Sequence, residues 1–115
     1  MIQGGGMMPG LVEKPTNKPI ENEANNGLKN QRGAIAMART QDPHSGSSQF
    51  FINLQHNQFL DHTEQSAAGW GYAVFGQVIS GIDVVDKIAA VSTARSGQHD
   101  DVPVNDVLLE RAEVE

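Results

Sequence analysis

The sequence predicts a mainly β fold, a sheet that closes on itself with helical caps. Short apolar runs of strand length stand at Ala34–Ala38, Gln49–Leu54 and Val74–Ser80. A clear helical period occurs only at Ile82–Val91, and the stretches between are long and rich in Gly, Pro and Asn. At 115 residues the chain is one small domain.

Met1-Ile2-Gln3 alternates and runs into Gly4-Gly5-Gly6, as at the end of a strand. Pro9–Gly33 reads as loop, with Pro9, Pro15, Pro19 and an Asn25-Asn26-Gly27 turn. A loop of that length is usually functional. Ala34–Ala38 reads as a strand buried on both faces, a helix turn being the other option. Arg39–Ser48 is a polar loop. In Gln49–Leu54 a period of two puts Phe50, Ile52 and Leu54 on one face. Gln49, Phe51 and Asn53 fall on the other, which should meet solvent. A large aromatic between two amides there is either covered by another loop or floors a binding pocket.

Leu54–Tyr72 is loop-rich. Val74–Ser80 is a strand with Val74 and Val78 on one side and Phe75 and Ile79 on the other. In the helix Ile82–Val91, Val84, Val85, Ile88 and Val91 make the apolar stripe. Asp83 sits in the first turn, four residues before a pairing partner, Lys87. Arg95–Pro103 reads as loop. Asp106–Glu115 is open between a helix and a closing strand.

Charge excludes some partners. With 14 acidic and 8 basic residues the net charge is −6, which argues against nucleic acid and against an anionic membrane surface. No apolar run approaches the roughly 18 residues of a membrane helix, and Met1–Gly10 has no signal-peptide pattern. The absence of cysteine removes thiolate nucleophiles, disulfides and Cys-based zinc sites, and fits a reducing compartment.

Other chemistry is poorly supported. His44, His56, His62 and His99 lack the spacing of a metal motif and sit in polar loops, so solvated surface histidines are expected. Gly4-Gly5-Gly6 is not a phosphate loop, and Ser45, Ser47 and Ser48 near His44 do not form a nucleophile elbow. Neither a metal nor a cofactor is expected. Apolar and aromatic groups mixed with amides remain: Met1, Gln3, Gln49, Phe51, Phe59, Leu60 and Tyr72. Such a set suits a shallow peptide groove.

Several segments resemble the cyclophilins. They are M-I-Q-G-G-G (Met1–Gly6), E-N-E-A-N-N-G-L (Glu21–Leu28), R-G-A-I-A-M-A-R-T (Arg32–Thr40), S-Q-F-F-I-N (Ser48–Asn53), F-L-D (Phe59–Asp61) and Y-A-V-F-G-Q-V (Tyr72–Val78). They run in one order over nearly the whole chain. G-W-G-Y (Gly69–Tyr72) and A-R-S-G-Q-H-D-D-V-P (Ala94–Pro103) look like the bacterial cytosolic B-type members.

The resemblance implies an antiparallel β-barrel with capping helices. Residues 1–115 would be a partial domain, the C-terminal two-thirds, without the N-terminal strands and first helix. It implies peptidyl-prolyl cis/trans isomerisation that assists folding of proline-containing peptides and unfolded proteins. Phe51 and Leu60 would line the proline pocket, completed by Met1. Gln3 and Gln49 would hydrogen-bond the substrate, and Ala38 and Arg39 would present backbone to it. Phe59 stands where many members have a Trp that contacts cyclosporin, so that drug should bind weakly. Tyr72 stands where those members have His. The family's central arginine lies upstream of the M-I-Q-G-G segment, so no catalytic residue is expected within the 115. A weakly active or non-catalytic peptide-binding module is therefore the alternative. A cytoplasmic location is expected.

Overall fold

The computed structural model describes residues 1–114. Its centre is an open antiparallel sheet in the order β1-β5-β4-β6. The strands are β1 (Ile2–Gly4), β4 (Ala34–Met37), β5 (Phe50–Ile52) and β6 (Val74–Gln77). These are the apolar runs of the sequence, slightly shortened. Two hairpins lie outside the sheet: β2 (Met7–Met8) with β3 (Val12–Glu13), and β7 (Thr93–Ser96) with β8 (His99–Pro103). Short 3₁₀ turns span Ala24–Asn26 and Gln58–Leu60, and α1 (Ile82–Ala89) is the α-helix. The fold is mainly β, as expected, but the sheet does not close on itself: β1 and β6 are its two edges.

Register decides which side chains meet. Gln3 and Ala36 both face Phe51, and Ala36 also pairs with Val74, so these residues share one face. Ala34, Ala36, Phe51, Leu60 and Val74 pack there into the core, flanked by Ala38 and Tyr72. Segment 54–73 covers this face. The opposite face carries Ile35, Met37, Phe50 and Ile52, all only half-buried. It opens into a hollow of about 330 Å³ beside Ile20 and Phe75, and Phe75 is 60% exposed.

The Phe51 face is thus the covered one: of the two readings of that aromatic, cover by another loop holds, through Leu60 and Tyr72 of segment 54–73. Phe51 and Asn53 are buried, at 2% and 0% exposure, although period-two reasoning turned them to solvent. The polar Asn53 is tolerated inside because its amide is fully bonded. It donates to the Asn30 side chain and the Ala34 carbonyl, and accepts from Asn57. β4 is dry on one face rather than both.

Other corrections concern the periphery. Arg95–Pro103 is hairpin rather than loop: Gly97 takes φ +60°, the value the first central residue of a tight II′-type turn needs. In α1 only Val85 is buried, while Val84 and Val91 face outward. The ion pair of this helix joins Asp86 to Arg32 at 2.8 Å, and the expected Asp83–Lys87 bridge is absent among the described residues. Residues 106–114 adopt neither helix nor strand; the remainder of that ambiguous segment, Glu115, lies outside the described residues.

Candidate functional site

The groove begins where β1 meets β5. Gln3 lies opposite Phe51, and its Nε2 donates to Oε1 of Gln49 at 2.8 Å. Beneath this amide pair lies Phe51. The Tyr72 ring stands edge-on to it, with centroids 5.7 Å apart, and Leu60 closes the same cluster. The guanidinium carbon of Arg39 lies 4.4 Å from the Tyr72 ring centre. Arg39 Nε donates to the Gly71 carbonyl at 3.0 Å and Nη1 to the Thr40 carbonyl at 2.9 Å. The side chain is therefore held in one pose.

A buried polar network fixes the far wall. Asn30 donates its backbone N–H to Asp61 Oδ1 at 2.7 Å. Its side-chain amide donates to Asp61 Oδ1 and to the carbonyls of Leu60 and Tyr72. Through Asn53 the same network reaches β4 and Asn57. Two residues of the groove, Leu60 and Tyr72, are thus tied by their own backbones to a fully bonded interior. Gly71 makes the close approach possible: at φ +72°, a Cβ there would fall 2.6 Å from the Leu60 carbonyl oxygen.

The profile of the family described as "Cyclophilin type peptidyl-prolyl cis-trans isomerase/CLD" matches residues 1–114. The chain belongs to the cyclophilins. It is 60% identical over 114 residues to peptidyl-prolyl cis-trans isomerase B of Escherichia coli (strain K12), covering 99% of this chain and 70% of that protein. It is 55% identical to isomerase cyp18 of Streptomyces antibioticus, covering 99% and 69% of the two chains. Identity to isomerase A of Dickeya dadantii (strain 3937) is 46%, covering 99% and 58%.

This cyclophilin brings Gln3, Ala38, Arg39, Gln49, Phe51, Leu60 and Tyr72 into one neighbourhood. Met1 and Phe59 stand at the surface, Phe59 with 80% of its area exposed. Phe51 is not an open floor. The Tyr72 edge, Leu60 and the alanines of β4 shut it from water, and the hollow beside the sheet lies on the opposite face, next to Ile20 and Phe75. The Ala38 N–H is spent on the Gln49 carbonyl at 3.0 Å, so it is not free to face a peptide.

Sequence reasoning missed the supporting residues Asn22, Asn30, Asn53, Asn57 and Asp61, all buried. Of the histidines expected at the surface, His44 is exposed but carries a structural bond, and His62 is half-buried. His44 Nδ1 accepts the Asn22 N–H at 3.0 Å, and half-buried His62 lies 2.9 Å from the Trp70 carbonyl through its Nδ1. Both rings pack edge-on against the Trp70 indole, with centroids 5.0 and 5.1 Å away. Only loop-to-loop packing creates these contacts, and a polar loop sequence does not display it. The Arg32–Asp86 pair lies outside the groove. The hydrogen bond from Arg32 chiefly holds the Asp86 carboxyl below the usual range; desolvation opposes it, and the guanidinium charge adds a smaller push in the same direction as the bond.

Proposed function

We propose that this cyclophilin isomerises X-Pro bonds in proline-containing peptides and unfolded chains at the groove around Phe51. The family match from residue 1 to 114 carries the reading. Relatives at 46–60% identity bear the isomerase name, which favours an enzyme over a non-catalytic module.

The chemistry suits such a groove. Rotation about a prolyl amide is opposed by a barrier of about 18–20 kcal/mol, because twisting destroys resonance. No proton need be transferred and no covalent intermediate formed. A catalyst needs a dry seat for the ring, contacts that prefer the twisted amide, and a donor toward the proline nitrogen. Leu60 and Tyr72 give the seat, with Phe51 as its base once Tyr72 turns aside. Gln3 and Gln49 hold the peptide backbone. Arg39 has Nε and Nη1 committed to protein carbonyls, so it positions Tyr72 and the local backbone. Met1 and Phe59 form the outer rim. Cyclosporin binds weakly, because Phe59 offers no indole N–H; Phe59→Trp tightens it.

A net charge of −6 speaks against nucleic-acid and anionic membrane partners, and the absence of cysteine supports a cytoplasmic setting. A protease-coupled assay on a prolyl peptide tests the activity. The expected outcome is acceleration of a step that otherwise takes tens to hundreds of seconds. An unchanged slow phase at high protein concentration overturns the reading.

A further inference from the structure

We propose that His44 is a pH-responsive positioning residue, which acts through Asn22 and the Gly71 carbonyl on Arg39 and Tyr72. The functional half of this rests on the groove being the peptide site. The structural half stands on geometry alone.

The connection is a continuous run of hydrogen bonds. His44 Nδ1 accepts the backbone N–H of Asn22 at 3.0 Å. That bond requires a free lone pair on Nδ1, hence a neutral ring with its proton on Nε2. Asn22 is buried, at 8% exposure, and both polar atoms of its side chain are in use. Its Oδ1 accepts the Ala24 N–H at 2.8 Å, and its Nδ2 donates to the Gly71 carbonyl at 3.2 Å. The Gly71 carbonyl is shared with Arg39 Nε, and the Arg39 guanidinium lies over Tyr72. One titratable ring in a loop is thus joined to Tyr72, the aromatic packed edge-on against Phe51.

A second proton reverses the first link. Nδ1 becomes a donor facing another donor, and the Asn22 N–H loses its acceptor. His44 is exposed, so protons reach it from bulk water. Near it, its own backbone N–H binds Asp42 Oδ1, Glu21 and Glu23 flank Asn22, and Arg39 shares the Gly71 carbonyl. His62 lies across Trp70. His62, the second imidazole against Trp70, is the group an experiment must separate from His44. Asn22 moves away from His44, its grip on Gly71 slackens, and Arg39 and Tyr72 loosen over Phe51.

Trp70 is the only tryptophan and reports on both rings. The experiment follows Trp70 fluorescence and the NMR signals of the Asn22 amide and Arg39 Nε–H from about pH 8 to about pH 5. It uses the wild type, His44→Asn, which keeps a non-titrating acceptor, and His62→Asn. In the wild type the Asn22 and Arg39 signals are expected to shift together with one midpoint. His44→Asn holds them at their high-pH positions, and His62→Asn leaves the shift intact. The KM for a prolyl peptide rises severalfold on acidification in the wild type and stays flat in His44→Asn, with kcat little changed. A static Asn22 amide, a static Arg39 signal, a shift that survives His44→Asn or one abolished by His62→Asn overturns the proposal. If no prolyl peptide is turned over even at pH 8, the groove reading fails, while the NMR titration still decides the linkage.

Discussion

The Tyr72 ring meets Phe51 at 77° with centroids 5.7 Å apart, and this edge-on contact separates the aromatic core from the groove. Phe51 lies at the base of the core cluster, and the half-buried Tyr72 packs against it from outside. Phe51→Ala should cost about 3–5 kcal/mol, the range for truncating a buried aromatic. The denaturant midpoint reads it. Tyr72→Leu should cost less, because Tyr72 is only half-buried, and should alter KM for prolyl peptides more than kcat. A Phe51→Ala loss under about 1 kcal/mol would mean that the cluster is not the core.

Gln3 and Gln49 bond each other at 2.8 Å in an exposed setting, so little stability depends on them. Truncating either to Ala should cost no more than about 0.5–1.5 kcal/mol, the net worth of an ordinary hydrogen bond. Binding should suffer more, since a peptide replaces that internal bond with bonds of its own. Peptide titration by NMR, beside urea unfolding, separates the two effects. Equal losses of affinity and stability would make the pair a structural clasp only.

β4, β5, β6 and α1 were readable because apolar side chains recur there with a regular period. The orientation of the sheet was not. Asn53 looks like a solvent residue, and its partners Asn30 and Asn57 lie in loops 23 and 4 positions away. No local pattern announces that four polar side chains will satisfy one another inside. The β7–β8 hairpin escaped for the opposite reason: its strands are almost wholly exposed and show no alternation. In the groove, the family resemblance supplied Gln3, Gln49, Leu60 and Tyr72. Asn22 and His44, which hold Gly71 in place, depend on contacts 49 and 22 residues apart and left no trace in it.

Asn53 is the test of that interior network. Asn53→Ala removes an acceptor from Asn57 and a donor from Asn30 and the Ala34 carbonyl. Each buried polar group left unpaired costs about 1–3 kcal/mol, so the total should exceed that of a single surface hydrogen bond. Because Asn30 carries the Leu60 and Tyr72 carbonyls, the backbone amides near residues 60 and 72 should also shift in NMR spectra. Loss of stability without those shifts would separate the network from the groove.

The Arg32–Asp86 pair predicts a specific pH dependence. The guanidinium meets the carboxylate through two bonds, at 3.0 and 2.8 Å. Those bonds, and then the opposite charge, lower the Asp86 pKa and raise that of Arg32. A carboxyl whose folded pKa lies below its unfolded one stabilises the fold above the unfolded value, about 3.9 for Asp. That contribution fades as pH falls through the lower, folded value. Asp86→Asn should therefore lower Tm slightly at neutral pH, with the gap to wild type closing as acid protonates the Asp86 carboxylate in the folded state. Added salt should narrow the neutral-pH gap as well, because both side chains are half in water and screened. A gap unchanged by acid and salt would assign the loss to packing between α1 and the Arg32 stem.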